Sequence, residues 1–154
     1  MQTVRIRADI VVQDADGHDL ALVEIRNRQG LTPDIAATLR RNLIVHGLVN
    51  LRSRFFLIVS QEIGYLWDQG DLAEDDAHLP TVEFPMTSVV GHYLPSLAGG
   101  ARLSKSQLEL AVTQWLWDLA SGSEDRPLEP EPDLAPTGFL QLIRGGRIGT
   151  EIDL

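Results

Sequence analysis

The sequence predicts an α/β fold, a mixed β-sheet with helices on its faces, and three observations carry that prediction. Residues 4 to 12 alternate, with Val4, Ile6, Ala8, Ile10 and Val12 on one side and Arg5, Arg7, Asp9 and Val11 on the other. Strict alternation is the mark of a half-buried strand. After it, Ile35, Ala36, Leu39, Leu43 and His46 recur at helical spacing, and "RFFLIVSQ" at 54–61 is an unbroken apolar run of buried-strand type. A strand pair, a helix and a buried strand in that order belong to a layered α/β domain.

Each element has a local reason. Asp16-Gly17 is a favoured two-residue hairpin turn, and Leu20 to Arg28 resumes the aliphatic pattern. With those two residues at the turn, opposite partners have numbers summing to 33, so Ile10 meets Val23, Val12 meets Ala21, Ala8 meets Ile25 and Asp9 faces Glu24. Asp9, Val11, Leu22, Glu24 and Arg26 then share the second face. Thr32-Pro33 offers an N-cap and a first-turn proline, and Gly47 ends the helix. "IGYLWD" at 63–68 returns as the hairpin partner of the buried strand.

Residues 69 to 85 read as an acidic loop with a short strand near Val82, followed by a short helix capped by Thr87 or Ser88 and running to about Leu97. Ser104 starts the clearest helix, to about Ser121, with Leu108, Ala111, Val112, Trp115, Leu116 and Leu119 as its apolar stripe. Trp115 and Trp117 cannot both face the core. "SGSEDRPLEPEPDLAP" has the proline and acid content of an extended arm. A helical turn near Phe139 to Arg144 and an edge strand in "RIGTEIDL" close the chain. The expected organisation is therefore one α/β domain over 1–122, an acidic proline-rich linker or arm over 123–136, and a tail over 137–154 packing on the same domain.

Bulk properties limit the function classes. The chain has 154 residues, 44% of them hydrophobic, enough for one core without covalent staples. It has no cysteine, which removes disulfides and thiolate metal sites and makes the cytoplasm the expected compartment. Neither a signal peptide nor an apolar stretch long enough to span a membrane is present. Residues 1–70 hold eight arginines against eight acids, while 71–154 hold five basic and fourteen acidic residues, so the second half carries the whole net charge of −9. An acidic surface repels phosphate backbones, which disfavours nucleic acid as a partner except through a local cationic patch. Arg40, Arg41, Arg52 and Arg54 with Asn42 form such a patch in the sequence.

The chemistry concentrates in "ADIVVQDADGHDLALVEIRNR", residues 8 to 28, with five carboxylates and a basic end. Within it "DADGHD" is no calcium loop of the helix-loop-helix kind, because glycine falls fourth instead of sixth and Ile25 occupies the twelfth position. The four histidines have no ligand spacing, and no serine sits in a nucleophile elbow. What remains is a carboxylate on one strand facing a carboxylate on the next, followed two residues later by a cation. Oxygen ligands from two segments suit Mg²⁺, and an adjacent cation can support developing phosphoryl charge.

At these residues the chain resembles the PD-(D/E)xK nuclease superfamily, the restriction-endonuclease-like fold. Residues 8–28 look like its acid strand, hairpin and E-x-K strand, "TPDIAATLRRNLIVHG" like its sheet-packed helix, and "RFFLIVSQEIGYLW" like its later strands. The resemblance covers about residues 4 to 68. It implies Asp9 and Glu24 as Mg²⁺ ligands, Arg26 in the place of the motif lysine, Gln29 as a water or phosphate contact, and hydrolysis of phosphodiesters. Arg26 keeps the charge but cannot surrender a proton near neutrality. Ala8 stands where the family has proline, and the family's helix before the first strand has no counterpart, so a later helix or a second subunit is expected to cover that side. That uncovered side and the spare tryptophan predict a homodimer. A catalytically silent interaction or assembly module of the same fold is the rival reading.

Overall fold

The computed structural model describes residues 8–46, 53–71, 78–97, 102–122 and 128–149. Six strands make one mixed sheet: β1 Ile10–Gln13, β2 Asp19–Ile25, β3 Phe55–Val59, β4 Ile63–Asp68, β5 Val82–Pro85 and β6 Arg147–Gly149. Their spatial order is β5-β4-β3-β2-β1-β6. β2 and β3 are parallel, and every other neighbouring pair is antiparallel. Parallel neighbours need a crossover, and here the chain between them contains α1, Pro33–Val45. Thr32 caps α1 by accepting the Ile35 amide at 3.2 Å, with proline at the first turn, and His46 ends it.

The hairpin keeps its predicted register at Ile10–Val23, Val11–Leu22 and Val12–Ala21 and then slips, so that Gln13 pairs with Asp19. The turn is one residue longer than expected. The Asp14 amide donates to the His18 carbonyl at 2.9 Å, leaving Ala15, Asp16 and Gly17 as a three-residue loop with Gly17 at φ 85°. A bulge at Leu20 absorbs the extra residue, so the pairing beyond it survives. The predicted alternation over residues 4–12, of which 4–7 lie outside the described residues, also fails at Ala8. β1 begins only at Ile10, and Ala8 packs with Leu22 and Ala37 on the α1 side instead of sharing the face of Ile10.

Two cores lie against the two sheet faces. On one, Leu22, Phe56, Ile58, Tyr65 and Trp67 meet Ala36, Ala37 and Leu43 of α1. On the other, Val12, Val23, Ile25, Leu57 and Leu66 meet α2 (Thr87–Tyr93), α3 (Lys105–Ser121), α4 (Pro130–Leu134) and α5 (Phe139–Leu142). Both faces of the sheet are thus covered by helices of this chain, the one opposite α1 by later helices, which removes one of the two grounds for a homodimer. The other ground stands, since Trp115 is fully buried while Trp117 is half-exposed.

Two details depart from expectation. α2 starts at Met86 without a side-chain cap, and the Ser88 hydroxyl instead accepts the Glu129 amide at 3.0 Å. Inside the stretch read as an extended arm, α4 is a packed helix with Leu134 fully buried; Pro130 opens it, and the Glu131 carboxylate accepts the Leu128 amide at 2.7 Å. Proline content signalled a linker, whereas proline in the first helical turn costs no hydrogen bond. β6 is the expected edge strand, and it pairs with β1. Among the described residues no helix is long and apolar enough to cross a membrane.

Candidate functional site

β1 runs antiparallel to β2, so the chain enters β1 beside the end of β2, and β3 finishes at that same edge of the sheet. Asp9 lies just before β1 and Glu24 just before the last residue of β2. The Asp9 Oδ2 accepts the Ile25 amide at 2.8 Å, so the side chain supplies the acceptor where the ladder with β1 has ended. Glu24 shares the parity of Leu22 and is buried. The two carboxyls come from adjacent strands and act directly on each other's proton affinity.

Cations close the pair from two directions. Arg26, on β2's continuation, brings a guanidinium nitrogen to 3.5 Å from Glu24 Oε2. Lys105, the first residue of α3 on the other face of the sheet, places Nζ 3.0 Å from Asp9 Oδ1. One turn along the same helix, Glu109 is half-buried and feels the charge of Asp9.

Burial, together with the hydrogen bond and charge of Asp9, pushes the Glu24 carboxyl up to about 8, against opposition from Arg26 and Lys105. Burial also acts upward on Asp9, but hydrogen bonds from Glu24, the Ile25 amide and Lys105 outweigh it and hold that carboxyl below its ordinary value. The pair therefore keeps one proton at neutral pH, with Glu24 donating and Asp9 accepting, as two carboxyls in one site must. Glu109 is raised by burial and by the charge of Asp9.

The start of α3 is anchored where it meets this edge. Ser104 accepts the Gln107 amide at 3.1 Å while the Gln107 side chain accepts the Ser104 amide at 2.9 Å, a reciprocal capping box. Asn27 donates to the Leu103 carbonyl, the Leu103 amide donates to Gln61 at 3.0 Å, and Arg102 binds Glu62 and Asn27. Ser104→Ala is expected to cost about 1 kcal/mol in denaturant unfolding. An unchanged midpoint would show that these loop contacts alone hold the helix start.

The structure brings together Asp9, Glu24 and Arg26 among the residues predicted from sequence. Gln29 lies exposed in the turn after β2, and the polar contacts of the two acids run to Ile25, Arg26 and Lys105 instead. Lys105 was missed because sequence parity reaches only neighbouring strands, although its place in the first turn after a recognised cap was visible.

Among the described residues, Arg40 and Arg54 of the predicted arginine cluster do not join a cationic patch beside the acids. Arg40 is fully buried, donating to Gln69 at 2.8 Å and lying 5.7 Å from the Trp67 ring centroid; burial pulls it down to about 10, which leaves it charged at neutral pH. Arg54 forks onto Asp68 at 3.1 and 3.2 Å. It precedes β3, whereas Glu24 lies across from Ile58 near that strand's end. Arg40 reaches Gln69, whose own amide meets Ser53 before the same start of β3, so both arginines serve the edge opposite the acids. Arg52 falls outside the described residues.

One other group of potential ligands stands out among the described residues: Asp14, Asp16 and His18 in the exposed hairpin turn. Asp14 Oδ1 accepts the amides of Asp16 and His18, both at 2.9 Å, which is the hydrogen bonding of a tight polar turn. Comparison of the chain with protein-family models, with curated proteins and with solved structures finds no match.

Proposed function

We propose that the edge carrying Asp9 and Glu24 is a Mg²⁺-dependent phosphodiester hydrolysis site, on a fold of the restriction-endonuclease-like class that residues 4–68 resemble. The observation that carries this reading is the contact between the two carboxyls. They come from adjacent strands and each acts directly on the other's proton affinity, with Lys105 Nζ 3.0 Å from Asp9 and an Arg26 nitrogen 3.5 Å from Glu24, so one small ion could be reached by both. Further support comes from the order of elements, an acid strand, hairpin, acid strand, helix and parallel strand.

The donor set fits a hard cation that keeps most of its waters. Asp9 and Glu24 would hold it, and the ion would supply an acidified water and neutralise phosphoryl charge. The chain's own residues do the rest. The Ile25 amide fixes the Asp9 carboxylate in place, Glu24 gives up its proton on loading, and Arg26 contributes fixed positive charge beside Glu24 without a base role.

Calorimetric titration with Mg²⁺ or Mn²⁺ is expected to show binding that Asp9→Ala and Glu24→Ala each abolish, with affinity rising as pH increases toward 8, where Glu24 loses its proton. Cleavage is to be assayed on single- and double-stranded DNA and RNA. Absence of cation binding by the unaltered chain, or binding indifferent to both substitutions, would sink the reading. A catalytically silent assembly module would then stand, favoured by the cations already closing the acid pair and by exposed Leu110 and Trp117 on α3. In that case light scattering should report a dimer that Trp117→Ser disperses.

A further inference from the structure

We infer that Lys105 is the cation this site turns toward its substrate, held on Asp9 in the free protein and handed to a phosphoryl oxygen once a divalent cation claims that carboxylate. This rests on the hydrolysis reading and goes beyond it, because nothing in the E-x-K pattern of β2 points to a residue on α3. Three features of the structure carry it.

The first is an anchored root with a movable tip. The backbone at Lys105 is fixed by the Ser104 capping box and by the contacts of Leu103 with Asn27 and Gln61. The side chain itself is 56% exposed, and its ammonium sits on a flexible four-carbon stem. An ion pair this open to solvent is weak, worth under about 1 kcal/mol, so releasing it costs little. Arg26 is also rooted, on the continuation of β2 with its amide on the Val59 carbonyl, but its side chain is less exposed, at 40%, and its Nε is buried.

The second is competition for the same carboxylate. Asp9 Oδ2 carries the Ile25 amide and Oδ1 carries the Lys105 ammonium, so an incoming ion reaches this carboxylate against the ammonium's charge. Loading the site and keeping the Lys105–Asp9 pair are therefore alternatives. The third is that the displaced ammonium keeps a counter-charge, since Glu109 lies one helical turn away on the same face. Arg102, a further cation at this edge, is already engaged by Glu62 and Asn27.

The test uses the full chain with Lys105→Met and Lys105→Arg. Calorimetry with Mn²⁺ alone, with no substrate present, is expected to show Lys105→Met binding about threefold tighter than the unaltered protein, because its competitor is gone. Cleavage by the Mn²⁺-saturated variant should fall about 100-fold in kcat with little change in KM, as loss of one aimed charge does. Lys105→Arg should return the Mn²⁺ affinity to its original value and recover part of the rate. Melting temperatures check that each variant is folded. Mn²⁺ affinity that is unchanged or weaker in Lys105→Met, or an undiminished rate, overturns the role of Lys105 while leaving the acid site standing. If the unaltered chain fails to bind Mn²⁺, or binds it and cleaves nothing, the hydrolysis reading falls and this inference with it.

Discussion

Glu24→Gln is expected to melt higher than the unaltered protein above about pH 8, and to flatten a pH dependence that the unaltered chain shows between about pH 4.5 and 8. The sign follows from where the proton is bound. Folded Glu24 holds its proton up to about 8, whereas in the unfolded chain the same group ionises near its ordinary 4.5. Across that window the folded state binds more protons than the unfolded one, so stability falls as pH rises and the loss is complete above the folded value. Asp9 works oppositely. Its folded value is depressed, so its contribution is present above the ordinary 3.8 and disappears as pH falls below it. The glutamine amide can donate to Asp9 as protonated Glu24 does, without a proton to lose. The difference between the two proteins at alkaline pH is on the order of 3 kcal/mol. Thermal melts in chelator from about pH 5 to 9 check it, and parallel curves for the two proteins would show that the acids do not share a proton.

That acid pair is legible in the sequence because strand periodicity is strict over short distances. Asp9 and Glu24 follow from alternation and a hairpin turn, and even an extra turn residue did little harm, since the bulge at Leu20 absorbed it. Among the described residues parity misled at Ala8, where the bend that aims Asp9 at the Ile25 amide ends the alternation. The arginines were misread for another reason: composition counts charges without facing them. Arg40 stands four residues after Ala36 and three before Leu43, both on the buried stripe of α1, so its burial was readable from helical spacing. Lys105 lies beyond any such rule. Its contact with Asp9 depends on α3 crossing the far side of the sheet, which is tertiary packing that local pattern does not encode. α4 was hidden differently, by prolines that mark loops on average yet start helices individually.

Gly64→Ala is expected to destabilise the fold by about 3 kcal/mol, although this glycine has an ordinary backbone conformation and no turn to make. Gly64 lies in β4 between β3 and β5, directly across from Phe84, and the Phe84 ring covers the space a side chain would fill. An added Cβ would stand 2.2 Å from one ring carbon and 2.5 Å from the next. The ring has nowhere cheap to go, being buried with its centroid 6.3 Å from that of Trp115 on α3. Alanine must therefore push Phe84 into the contact that seats α3 on the sheet, the helix that also delivers Lys105 to the acids. A double-mutant cycle separates this clash from any general cost of altering β4. Phe84→Leu alone loses aromatic packing, but it shortens the group that meets the new Cβ, so the pair Gly64→Ala with Phe84→Leu should lose less stability than the two single changes added together, by at least about 1 kcal/mol. Strict additivity in urea unfolding would mean that the ring and the glycine are not coupled, and that the Phe84 ring is not what keeps position 64 free of a side chain.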